Sequence, residues 1–121
     1  MATVLVVDDS PTVREMLVSQ LTEGGMTVIE AQDGKDAIEK LQATTPDLVV
    51  TDVVMPNMNG YELCRWIKKN PSTQNVPVVM CTTKSEEFDK HWGMKQGADA
   101  YITKPYEPAE LLKTIKMLLS S

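Results

Sequence analysis

A single α/β domain built on a doubly wound parallel sheet follows from three properties of this 121-residue chain. Short apolar runs alternate with stretches whose apolar residues recur at helical spacing, the pattern of successive βα units. The runs are continuously apolar, as strands covered on both faces require. Turn residues punctuate the chain at short intervals and no linker or low-complexity segment interrupts it, so residues 1–121 form one domain large enough to bury a real core.

The elements follow in order. Val4-Leu5-Val6-Val7 is the first strand and ends in Asp8-Asp9. Ser10 caps a helix with Pro11 at its first position, and Val13, Met16, Leu17 and Leu21 mark its inner face until Gly24-Gly25 stops it. Residues 26–31 read as the second strand. Asp33 serves as the cap of a second helix, with Ala37, Ile38 and Leu41 inward and Thr44-Thr45-Pro46 closing it. Asp47-Leu48-Val49-Val50-Thr51 is the third strand and leads to Asp52. Beyond a loop from Met55 to Gly60, Leu63, Cys64 and Ile67 define a third helix that ends near Asn70-Pro71. Residues 76–81 form the fourth strand. The fourth helix covers residues 86–96, Glu86 and Glu87 suiting its positive start and Gly97 its end. In it Phe88 and Trp92 stand four apart, so they share one face and are expected at or near the core. Residues 98–103 are the fifth strand, leading to Lys104-Pro105. Pro108 opens the last helix, whose Leu111, Leu112, Ile115, Leu118 and Leu119 face inward.

Five βα units with right-handed crossovers leave few topologies, of which the flavodoxin-like (βα)5 order 2-1-3-4-5 is expected. Strands 1 and 3 are then neighbours at the switch point, and Asp8, Asp9 and Asp52 converge there, with Thr82 and Lys104 arriving from strands 4 and 5. Three carboxylates at one sheet edge repel each other and call for a cation. Magnesium fits, with manganese an alternative: Asp9 and Asp52 as direct ligands, Asp8 through water, and the backbone carbonyl of Val54 as a further oxygen. Lys104 is a second cation for the same mouth. With the ion in place Asp52 can act as a nucleophile towards phosphorus, while Lys104 and Thr82 hold phosphoryl oxygens.

Composition narrows the alternatives. A net charge of −5 with no basic run argues against nucleic acid or an anionic membrane as partner. No apolar stretch approaches a membrane span and the N-terminus lacks a secretory pattern, so a cytoplasmic protein is expected. Cys64 and Cys81 lack metal-site or redox spacing and read as buried free thiols. His91 reads as a solvated helix residue.

The motifs Val6-Val7-Asp8-Asp9-Ser10, Asp52 with Met55-Pro56 and Gly60, Cys81-Thr82-Thr83, and Tyr101-Ile102-Thr103-Lys104-Pro105 together resemble the receiver domain of two-component response regulators, across essentially the whole chain. The resemblance implies that Asp52 is the phosphoacceptor, Asp8 and Asp9 the acidic metal pair, Thr82 the switch hydroxyl, Tyr101 the switch aromatic and Lys104 the phosphate-sensing lysine. It also implies a cis peptide before Pro105. A histidine kinase or histidine phosphotransfer protein is the implied donor. The resemblance further implies a downstream protein target that reads the face of helix 4, strand 5 and helix 5, where Lys90, Met94 and Tyr101 are expected. Ending after the fifth helix, the chain is most similar to stand-alone chemotaxis-type regulators without an output domain, expected as a monomer or weak dimer. Thr82-Thr83-Lys84, Trp92-Gly93 and Gln96-Gly97-Ala98 look closer still to single-domain regulators of type IV pilus (twitching) motility and phototaxis, which implies a motility target.

Two departures stand out. Thr83 replaces the alanine common after the switch threonine and brings a hydroxyl that can crowd the phosphoryl group. Val54 and Lys84 flank the site, and neither readily orients an attacking water, so slow to moderate self-dephosphorylation is expected. The chain is expected to catalyse only its own phosphoryl transfer and loss. A magnesium-dependent phosphatase or phosphotransferase with an aspartyl nucleophile would place a second acid two residues beyond Asp52, where Val54 stands. A nucleotide- or flavin-binding module lacks its phosphate cradle in Asp8-Asp9-Ser10-Pro11. A receiver-like binding platform without phosphorylation is the remaining alternative, and the intact acidic trio, threonine and lysine count against it.

Overall fold

The computed structural model describes residues 1–120. Strands β1 (Thr3–Val7), β2 (Thr27–Ala31), β3 (Leu48–Thr51), β4 (Val78–Thr82) and β5 (Ala100–Thr103) alternate with helices α1 (Pro11–Glu23), α2 (Gly34–Ala43), α3 (Gly60–Lys69), α4 (Glu87–Lys95) and α5 (Pro108–Leu119). The strands are all parallel in the order β2-β1-β3-β4-β5. That is the flavodoxin-like topology expected from the sequence.

Each central strand divides its side chains between two cores. Leu5, Val7, Val49, Val78 and Met80 meet Ala37, Leu41, Leu63, Cys64 and Ile67 on one face. Val4, Val6, Val50, Val79 and Cys81 meet Leu17, Leu21, Leu111 and Ile115 on the other. This explains the unbroken apolar runs: a strand buried on both sides has no polar face to alternate with. Each fully buried Leu or Val contributes about 1.5–3 kcal/mol relative to leaving it exposed. Among the described residues no helix is long and apolar enough to cross a membrane.

The helix starts are set locally. Ser10 Oγ accepts from Val13 N at 3.4 Å with Pro11 in the first turn, Asp33 accepts from Asp36 N at 2.8 Å, and Asn59 and Glu62 close a reciprocal capping box. Strand β4 starts at Val78, two residues later than expected, because Val76 N is used by the Thr73 carbonyl in a turn and Pro77 has no N–H.

Two packing expectations are corrected. Met16 is 49 % exposed, and the inner face of α1 is carried by Leu17 and Leu21 with Val13 partly buried. Phe88 is 73 % and Trp92 36 % exposed, so neither belongs to the core. The reason lies in Gly93, the one buried residue of α4, which seats the helix on Met80 and Tyr101 and turns the Phe88–Trp92 side outward. Trp66, by contrast, packs against the core.

Gly60 opens α3 directly beneath the third strand's exit. Its N–H donates to the Val53 carbonyl at 2.8 Å, and a Cβ here would overlap the Asp52 carbonyl and lie 2.9 Å from Val53 Cα. Gly60→Ala is therefore expected to destabilise the protein by about 2–3 kcal/mol, measured by urea unfolding. A loss near zero would show that the Asp52 loop yields freely.

Candidate functional site

The topology places three loop ends together. Asp8 leaves β1 and its N–H donates to the Ala31 carbonyl at 3.1 Å, while Asp52 leaves β3 and its N–H donates to the Val7 carbonyl at 3.0 Å. One carboxylate oxygen from each of Asp8, Asp9 and Asp52 lies within 4.8 Å of the others. Their exposure is graded: Asp8 is buried, Asp52 half-buried and Asp9 exposed. Hydrogen bonds fix the two inner acids, from Ser10 N to Asp8 Oδ1 at 2.9 Å and from Val53 N to Asp52 Oδ1 at 2.6 Å, with Val54 N at 3.3 Å.

Lys104 supplies the opposing charge. Its Nζ stands 2.9 Å from Asp8 Oδ2 and 3.4 Å from Asp52 Oδ2, with the lysine side chain only 15 % exposed. Burial pulls the ammonium's pKa down, but the Asp8 hydrogen bond and the charges of Asp52 and Asp8 outweigh it and hold the pKa above the usual 10.5. The Lys104–Pro105 peptide is cis. The Lys104 N–H donates to the Thr82 carbonyl at 2.8 Å, which ties the lysine loop to the end of β4.

Thr82 is fully buried and its hydroxyl accepts from Lys84 N at 3.3 Å. Tyr101 is half-buried, its hydroxyl donating to the Lys84 carbonyl at 2.8 Å. Burial first, then the neighbouring Tyr61 and nearby negative charge, push the Tyr101 phenol well above its usual pKa. The Lys84 backbone thus bonds both expected switch residues, Thr82 through its N–H and Tyr101 through its carbonyl. Lys90 and Met94 are exposed on α4, and Val54 is 55 % exposed beside Asp52. Thr83 lines an apolar cavity of about 350 Å³ with Val13, Met16, Gln20, Lys104, Pro105 and Tyr106.

Arg14 was given no role by sequence reasoning. Its Nη1 donates to the Asp8 carbonyl at 2.7 Å and its Nε pairs with Glu30 Oε1 at 3.1 Å, bracing the acidic loop from the first turns of α1. Its position four residues after the Ser10 cap, on a turn facing the strand end, was the available signal. Asp33 likewise does more than cap α2. Its other oxygen accepts from Asn57 Nδ2 at 2.9 Å and so pins the loop after Asp52, where Asn57 has a φ of 70°.

The bonds from Asp36 N and Asn57, in that order, hold the Asp33 carboxyl below its usual 3.8. A depressed carboxylate stabilises the fold fully above its unfolded pKa, and that part is lost as pH falls through the folded value. Asp33→Asn keeps a good cap, so its stability deficit is expected to be full at pH 6 and to shrink below about pH 3.8, checked by denaturant titration at both. A deficit independent of pH would exclude a role for the charge.

Cys64 and Cys81 are free and buried, and burial pushes their thiols up to about 11 and about 12, so both stay protonated at neutral pH.

Comparison with known proteins agrees with this geometry. The family described as the response regulator receiver domain matches residues 4–116. Protein PilH of Pseudomonas aeruginosa is 42 % identical over 120 residues, spanning 99 % of each chain. The alkaline phosphatase synthesis transcriptional regulatory protein PhoP of Bacillus subtilis is 40 % identical over 96 % of this chain, which spans only 48 % of that relative. The solved chemotaxis response regulator CheY4 of Vibrio cholerae superposes with a TM-score of 0.91 at 36 % identity, covering 98 % of both chains.

Proposed function

The chain belongs to the response regulator receiver family, and from that premise we propose that it is a phosphorylation-driven switch whose acceptor is Asp52. The observation that carries this reading is the meeting of Asp8, Asp9 and Asp52 within 4.8 Å around one buried, charged lysine. A carboxylate oxygen of Asp52 attacks phosphorus of a phosphohistidine, and the P–N bond breaks with its electron pair going to the imidazole nitrogen. The donor is accordingly a histidine kinase or a histidine phosphotransfer protein.

The donor set fits a hard divalent ion, since three carboxylate oxygens converge and one acid, Asp9, stays open to water. Magnesium held by Asp8, Asp9, Asp52 and the Val54 carbonyl would neutralise charge on the transferring group. Lys104 then releases part of its hold on the carboxylates to bind a phosphoryl oxygen, and the buried Thr82 hydroxyl binds another. Movement of Thr82 pulls on Lys84 N, and Lys84 is also where the Tyr101 hydroxyl is bound. That shared segment links the acceptor to the face carrying Lys90, Met94 and Tyr101, from which a protein target in the cytosol reads the state. The likeness to a chemotaxis response regulator supports a target in motility.

Intact mass after incubation with acetyl phosphate tests the reading. One phosphoryl adduct is expected with magnesium and none in EDTA. No adduct in either condition would overturn the proposal. With Val54 in place of a second acid, sustained release of phosphate from p-nitrophenyl phosphate is not expected, and observing it would favour a phosphatase instead. With Val54 exposed and Lys84 at the other flank, the adduct is expected to outlast manual quenching.

A further inference from the structure

Granted the metal reading of Asp8, Asp9 and Asp52, we propose that Arg14 is a positioning residue for the ion, holding the Asp8–Asp9 peptide at the angle that aims Asp9 at it. The three acids are not held alike. Asp8 Oδ1 accepts from Ser10 N and Asp8 Oδ2 from Lys104 Nζ, each at 2.9 Å, while Asp52 is held by Val53 N, Val54 N and Lys104. Among the described residues no hydrogen bond or ion pair reaches the Asp9 carboxylate, which is exposed. Its direction is therefore set by its backbone.

That backbone is clamped on both sides of Asp8. The Asp8 N–H donates to the Ala31 carbonyl at 3.1 Å, and the Asp8 carbonyl accepts from Arg14 Nη1 at 2.7 Å. The Asp8 carbonyl and the Asp9 nitrogen share one planar peptide unit, so fixing the oxygen fixes the direction in which the Asp9 Cα leaves. The guanidinium is itself anchored, because its Nε pairs with Glu30 Oε1 at 3.1 Å and the Glu30 carbonyl accepts from Lys40 Nζ at 3.2 Å. Its planar fork carries donors at fixed angles, so one end held on β2 places the other end on Asp8. Magnesium demands near-octahedral geometry, whereas calcium accepts irregular shells, so magnesium is the ion that a misdirected Asp9 penalises.

Charge and geometry predict opposite signs. Arg14 is a cation beside the cluster, so by charge alone its removal tightens binding of a divalent ion, whereas loss of the clamp weakens it. The test is a calorimetric titration of the whole protein at fixed ionic strength, with magnesium alone and then with calcium alone. Arg14→Met, which keeps most of the aliphatic stem, is expected to weaken magnesium binding about tenfold and calcium binding by less. Arg14→Lys keeps the charge but reaches only one of the two partners at a time, and should recover part of the loss. A thermal midpoint in EDTA equal to the parent's establishes that the loss is not unfolding. Should Arg14→Met unfold, Glu30→Ala leaves the arginine in place without its anchor and is expected to show the same preferential loss of magnesium. Unchanged or tighter magnesium binding by the variants, or equal losses for the two ions, would overturn the proposal and leave the metal reading intact. A parent protein that binds no magnesium would overturn the metal reading itself, and this proposal with it.

Discussion

Asp52→Asn is expected to abolish the phosphoryl adduct from acetyl phosphate while leaving the protein folded. The carboxamide keeps an oxygen where Val53 N and Val54 N now donate, at 2.6 and 3.3 Å, so the loop geometry survives. What is lost is the anionic nucleophile. Stability changes little because two effects oppose. Removing one of three carboxylates within 4.8 Å relieves repulsion, and the 3.4 Å contact to Lys104 loses its charge. A net change of about 1 kcal/mol or less is expected. Intact mass and thermal unfolding on the same sample check both halves. An adduct on the variant as strong as on the parent would assign acceptance elsewhere.

Lys104→Met carries the second large effect, and its sign depends on what else is in solution. Asp8 has a side chain only 2 % exposed and relies on the ammonium at 2.9 Å, so removing the cation strands a buried charge. A loss of about 3 kcal/mol is expected in EDTA. Magnesium should restore part of it, since an ion that binds only the native acidic cluster stabilises by mass action. Urea unfolding with and without the metal measures this; an identical loss in both would reduce the lysine to a packing role. The alkaline limb supplies a check. The folded pKa of Lys104 is raised above 10.5, so its contribution is complete below that value and disappears as pH rises through the folded pKa. Parent and variant should therefore converge in stability at strongly alkaline pH.

The legible parts of this molecule were those in which one local rule sufficed. Continuous apolar runs located β1 and β3, and the Ser10 and Asp33 caps set the starts of α1 and α2, because capping depends on residues three apart. The convergence of Asp8, Asp9, Asp52 and Lys104 was readable once strand order was fixed, as each stands at a strand's end. Contacts chosen by tertiary packing were not. Phe88 and Trp92 share a face by spacing alone, but which face points inward is decided by Gly93 fitting against Tyr101 and Met80, and a glycine carries no apolar signal. The Asp33–Asn57 bond and the Arg14–Asp8 brace join loops and helices that only the fold brings together. Pro77 and the Thr73 turn likewise shortened β4, although the apolar pattern runs on through Val76.

The shallow seating of α4 also bears on how the molecule breathes. Helix α3 buries Gly60, Leu63, Cys64 and Ile67, whereas α4 buries Gly93 alone, so the free energy needed to lift α4 away is far below that of global unfolding. Amide hydrogens of α4 should exchange with deuterium through local opening, ahead of those in α3 and insensitive to low denaturant. Opening of α4 without melting its neighbours would let the protein alter one side of its surface while the other nine elements keep still.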